Sequence, residues 1–132
     1  MTAEDTLAHH ADAAYEAVRA INHLTIFGPA LPAPDLYPVL GTLAQLGHGL
    51  DQGIGQLSRG LQRSPEFYEL YEADPGRTPT EVIAEAVHWL DDAAQHARDC
   101  GYTLSKAHTV IAGQGWLGHA DNDHCGRDGA DQ

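Results

Sequence analysis

Glu85-Ala-Val-His88, with Asp92 one turn further on, is the stretch best equipped for chemistry. On a helix these residues fall at i, i+3 and i+7 and share one face, a carboxylate–imidazole–carboxylate set that suits a divalent cation such as zinc. Glu-x-x-His is also the spacing of di-iron helical bundles, which need two such pairs and two further glutamates converging inside. This chain has one pair, and no glutamate lies between Asp35 and Ser64, so a di-iron centre is not expected. His119-Ala-Asp-Asn-Asp-His124-Cys125 places metal-ligand types in a row near the C-terminus, without the paired Cys-x-x-Cys spacing of a structural zinc site.

There are nine histidines in all. His9, His23, His48 and His88 fall outside the apolar seams of the helices described below and read as solvated. His96 and His108 lie on or beside an apolar stripe, which predicts half-buried imidazoles bonded within a helix packing, with a ligand or switch role as the alternative. No Gly-rich loop follows a strand, and no strand–elbow–helix pattern nominates a nucleophile. The expectation is a protein that is not an enzyme and carries no cofactor.

The elements that would position these residues follow from periodicity. Leu36, Leu40, Leu43, Gly47, Leu50, Ile54, Leu57 and Leu61 recur at alternating steps of four and three, a heptad seam that predicts one long helix from Asp35 to Ser64. Six glycines interrupt it, each costing roughly 0.5–1 kcal/mol against alanine in a helix interior. Gly47 lies in the seam, and Gly53 and Gly60 continue a flanking column begun by Val39 and Leu46. A neighbour can come close there, so Gly47, Gly53 and Gly60 are expected at an interface with the third helix or with a second copy.

The first helix is expected to start at Thr2, where Thr2-Ala-Glu-Asp5 resembles a capping box, and to carry the seam Leu7, Ala11, Ala14, Val18, Ile21 and Thr25. Phe27-Gly28-Pro29 stops it, and the Pro-rich linker to Pro34 is stiff. Ser64-Pro65 should restart a short helical segment, Glu66 to Glu72, with Phe67, Leu70 and Tyr71 on one side. Asp74-Pro-Gly-Arg77 is a turn by composition. Thr78-Pro79-Thr80-Glu81 is a capping box with proline at the first helical position, opening a third helix that runs to about Ala112. Its apolar columns are Val82, Trp89, His96, Thr103, Val110 and Ile83, Leu90, Ala97, Leu104, Ile111, with Ala86, Ala93, Cys100 and Ala107 beside them. Trp89 and His96 are therefore placed at an interface.

Three helices of about 40, 45 and 50 Å at 1.5 Å per residue predict an all-α fold: an antiparallel up-down-up three-helix bundle with a short extra helical turn before the third helix. Residues 1–115 form the bundle domain and residues 116–132 an irregular acidic tail.

With 7 basic against 19 acidic residues and a net charge of −12, the chain has no broad surface for phosphate, so direct nucleic-acid binding is not expected. No run approaches the ~20 apolar residues of a membrane span, and no leader pattern precedes one. A cytoplasmic protein is expected, without a membrane partner. Two cysteines make no disulfide framework.

Trp116-Leu-Gly118 and Tyr68-Glu-Leu-Tyr-Glu72 resemble the Trp-x-Gly and Tyr-x-x-x-Glu motifs of the small helical WXG100 substrates of type VII secretion. Their order is reversed relative to that family, in which Trp-x-Gly lies between two helices and the tyrosine motif follows. Ala14 to His23, Leu31 to Asp35 and Val39 to Gly41 look like stretches of small uncharacterised helical proteins of streptomycetes and other actinobacteria. The near-absence of lysine (Lys106 alone) fits a GC-rich genome. This second resemblance spans residues 14–114 and implies an all-helical fold without assigning an activity.

Together these readings favour a non-enzymatic helical-bundle interaction protein that self-associates, as a homodimer, and binds a protein partner. A small metal- or ligand-binding protein and an acidic inhibitor occupying a basic partner are the alternatives.

Overall fold

The computed structural model describes residues 6–120. The fold is all-α, with helices α1 (Leu7–Thr25), α2 (Ala33–Phe67) and α3 (Pro79–Ile111). The chain divides into two compact units, residues 1–31 and 32–132.

In the first unit, Thr6 is the N-cap of α1 and its side chain accepts from the His9 N–H at 3.1 Å. The expected start at Thr2 lies outside the described residues. Nineteen residues make α1 about 28 Å long at 1.5 Å per residue, so the three helices are not of comparable length. The expected stop is present: Ile26 caps the helix and the Gly28 N–H donates to the Thr25 carbonyl at 3.2 Å.

In the second unit, α2 and α3 pack closely along their length. Tyr37 meets His108, Asp51 meets Arg98 and Ser58 meets Asp91, so the two helices run antiparallel. α2 begins at Ala33, two residues before the expected start at Asp35, with Pro32 at the N-cap and Asp35 inside the first turn. Pro38 is then the sixth helical residue and forfeits the bond to the Pro34 carbonyl.

The larger correction concerns Ser64-Pro65. α2 does not restart there but continues through Pro65 to Phe67. Proline removes the N–H that would reach the Leu61 carbonyl; the Ser64 hydroxyl donates to that same carbonyl at 2.7 Å and replaces it. Tyr68 then turns extended (φ −133°, ψ 141°), and residues 68–77 contain no helical turn. Phe67 and Tyr71 are exposed accordingly.

The Asp74–Arg77 turn forms as read. The Gly76 N–H donates to Asp74 Oδ1 at 2.9 Å and the Arg77 N–H to the Asp74 carbonyl at 3.2 Å. Thr78 and Glu81 close a reciprocal capping box at the start of α3.

Candidate functional site

The α2–α3 seam is built from small residues. Ala44, Gly47 and Ser58 of α2 and Ala94, Ala97 and Gly101 of α3 are buried, with Val87 the one large side chain among them. At the crossing the two backbones touch. A Cβ on Gly47 would sit 2.7 Å from both Cα and N of Gly101 and 3.1 Å from the Ala97 carbonyl oxygen. A Cβ on Gly101 would sit 2.9 Å from the Ala44 carbonyl oxygen. Glycine at these two positions is thus a steric requirement of the packing, whatever its helix propensity.

Two polar contacts clamp the seam toward the loop end. The Ser58 hydroxyl donates to Asp91 Oδ1 at 3.0 Å, and Ser58 is only 2% exposed. Arg98 donates Nε–H to Asp51 Oδ2 at 2.9 Å and Nη2–H to Oδ1 at 3.3 Å, a bidentate fork. The hydrogen bond to Asp51, and then its negative charge, raise the Arg98 pKa above the ordinary guanidinium value. Arg98 therefore keeps its charge across the physiological range. Asp51, Asp91 and Arg98, together with Gln52, Gly55, Arg59 and Ala94, line an open polar groove of about 470 Å³ on one side of the hairpin. At the other end His108 is half-buried and stacks on Tyr37, ring centroids 3.8 Å apart at 17°, beside Gly41.

Replacing Ser58 by alanine removes the hydroxyl but leaves Asp91 reachable by water. Thermal denaturation should therefore show a loss of about 1 kcal/mol, the ordinary net worth of one hydrogen bond. Ser58→Ala as stable as the parent would mean that the Ser58–Asp91 bond is not a clamp.

Burial is confined to one side of the expected seam. Of the α2 column Leu36, Leu43, Leu50 and Leu57, the last two are each 51% exposed. Their place toward α3 is taken by the adjoining column Tyr37, Ala44, Asp51 and Ser58. On α3 the column Val87, Ala94, Gly101 and His108 faces the contact. The column Val82, Trp89, His96, Thr103 and Val110 does not: Trp89 is 60% and Val110 81% exposed. His96 is exposed too, and its Nε2 lies 3.6 Å from Asp92 Oδ2. The expectation of a half-buried His96 is therefore corrected, whereas His108 is half-buried, stacked on Tyr37. Small side chains let the axes close along the Ala44–Ser58 row, and closing there swings the leucine row to the rim.

Of the glycines expected at the packing, Gly47 meets α3. Gly53 and Gly60 do not; a Cβ on either would have nothing within 4 Å. By helical spacing, the polar groove occupies one side of the hairpin. Val39, Leu46, Leu50 and Leu57 of α2 lie on the opposite side together with Trp89 of α3.

The metal-ligand set is pulled apart. Glu85 pairs with Arg77, Asp92 lies against His96, and the His88 ring meets Trp89 edge-on at 5.0 Å. Among the described residues no three His, Cys, Asp or Glu side chains converge to hold a metal ion. His119 is exposed beside Trp116, and His124 and Cys125 lie outside the described residues.

No protein-family model, curated protein or solved structure matches the chain. Among the described residues no helix is long and apolar enough to cross a membrane.

Proposed function

We propose that this protein is a non-enzymatic helical interaction module that works by self-association, the α2–α3 hairpin closing on a second copy of itself. The observation that supports this reading is that the seam consumes the small residues and leaves the leucines over. Val39, Leu46, Leu50, Leu57 and Trp89 are 41, 47, 51, 51 and 60% exposed. At those exposures they present on the order of 500 Å² of apolar surface, comparable to the ~300–600 Å² of the largest patch on a typical monomer. The half-buried rim side chains Leu43, Ile54, Leu61, Leu90 and Leu104 bring the face toward the roughly 800 Å² per partner of a standard interface.

The leucine face is where a second copy can dock despite the chain's net charge. At net −12, two chains repel each other over most of their surface. Between Val39 and Gly60 the leucine face carries no ionisable side chain on α2: His48 lies against Gly101 of α3, and Asp51 and Arg59 line the opposite groove. Two such faces meet without burying an unpaired charge, whereas a charged partner surface would have to give up its hydration there.

Sedimentation equilibrium of the full chain from about 1 to 100 μM tests this. A reversible dimer is the expected outcome, with a midpoint in or below that range. A strict monomer at every concentration would overturn the reading.

A further inference from the structure

The flank of α2 has a pattern that fixes how two copies would meet, given the self-association proposed above. Residues 39, 46, 53 and 60 form a single column at steps of seven. Its first two members, Val39 and Leu46, are large and half-exposed. Its last two, Gly53 and Gly60, have open space where a side chain would stand. Gly49 is open as well, whereas Gly41 and Gly47 have their space filled by His108 and by the α3 backbone. The column is therefore two knobs followed by two holes.

We propose that two copies pair antiparallel through α2, with the twofold axis passing between residues 49 and 50, so that Leu46 of each copy seats over Gly53 of the other and Val39 over Gly60. The register follows from arithmetic on the sequence. Residues 46 and 53 are equidistant from that axis, and so are 39 and 60, so a single axis satisfies all four contacts at once, as an isologous interface requires. A parallel pairing sets Leu46 against Leu46 and Gly53 against Gly53, crowding one end and leaving voids at the other. Leu50, beside the axis, lies next to its own symmetry mate, and no charged side chain enters the contact.

Disulfide trapping reads the register directly. In a Cys100→Ser, Cys125→Ser background, confirmed as dimeric by sedimentation, Leu46→Cys and Gly53→Cys proteins are mixed and oxidised. The mixed 46–53 disulfide should exceed either homodisulfide at least fivefold, and Leu50→Cys alone should cross-link to itself. Dominant 46–46 and 53–53 products would overturn the antiparallel register while leaving self-association standing. So would a dimer that forms none of these cross-links. A background protein that sediments only as monomer, as the parent chain also does, would remove both proposals. As a second measurement, Gly53→Leu puts leucine against leucine and should weaken the dimer at least 100-fold without lowering helicity. Unchanged dimerisation of Gly53→Leu would overturn the knob-and-hole contact.

Discussion

Gly47→Leu is expected to lower the melting temperature by about 10–20 °C. The new Cβ alone would lie 2.7 Å from the Gly101 Cα and N, and these are backbone atoms of a continuous helix, with no rotamer to escape into. Overpacking ordinarily costs 1–3 kcal/mol; a clash with a helix backbone belongs at the upper end, because relief requires the two axes to separate and the whole small-residue seam to open. For a unit of this size each kcal/mol corresponds to roughly 4–8 °C. Leucine at the same time improves helix propensity by nearly 1 kcal/mol, so a measured loss understates the steric term. Gly55→Ala supplies the control, since a Cβ there meets only the Arg59 side chain, Nη1 lying at an ordinary 3.6 Å on the groove side. That variant should gain about 0.5–1 kcal/mol from propensity alone. Calorimetry that moves both variants in the same direction would contradict the backbone-to-backbone crossing.

The double variant Leu50→Asp, Leu57→Asp should be monomeric up to about 100 μM while keeping its far-UV helical signal. Each of these leucines is 51% exposed in the single chain. Half of a full leucine burial, ~1.5–3 kcal/mol, at four positions of a dimer gives about 3–6 kcal/mol, or roughly 10²–10⁴-fold in Kd at 1.4 kcal/mol per decade. The four introduced carboxylates oppose association further. The α2–α3 seam is untouched, because it runs along Ala44, Gly47 and Ser58 on the adjoining face. Val110→Asp is the charge control: it adds one carboxylate per chain, against two in the double variant, at an apolar position 81% exposed and away from the leucine face. A double variant that sediments like the parent would show that the leucine face does not carry association, and a Val110→Asp chain that dissociates equally would show that charge governs it.

Much of the local architecture is set by nearest-neighbour chemistry, and the sequence alone determined it. The Thr78–Glu81 capping box is specified by four adjacent residues. The Gly28-Pro29 stop, the Asp74–Arg77 turn and the all-helical class rest on equally short-range signals. Local signals failed where a side chain intervened between neighbours. Pro65 reads as a helix break, yet the Ser64 hydroxyl supplies the Leu61 carbonyl with the donor that proline withholds, and α2 runs on.

The candidate site depended on what no single helix can reveal. Periodicity identified the apolar columns of α2 correctly as helical, but two columns competed for α3: one rich in leucine, the other made of Tyr37, Ala44, Asp51 and Ser58. Hydropathy ranks the leucine column as the core. Packing chooses the small one, because only there can Gly47 and Gly101 bring the backbones into contact and Asp51 and Ser58 reach Arg98 and Asp91. The same choice turns Leu46, Leu50, Leu57 and the open positions of Gly53 and Gly60 outward. Glu85, His88 and Asp92 take partners within α3 and the turn before it, Arg77, Trp89 and His96. The sequence by itself determined which segments are helical and where their apolar residues lie. The tertiary structure decided which of those residues the chain uses for its own seam and which remain for a partner, because that choice is fixed by how closely two backbones can approach, a property of the facing pair.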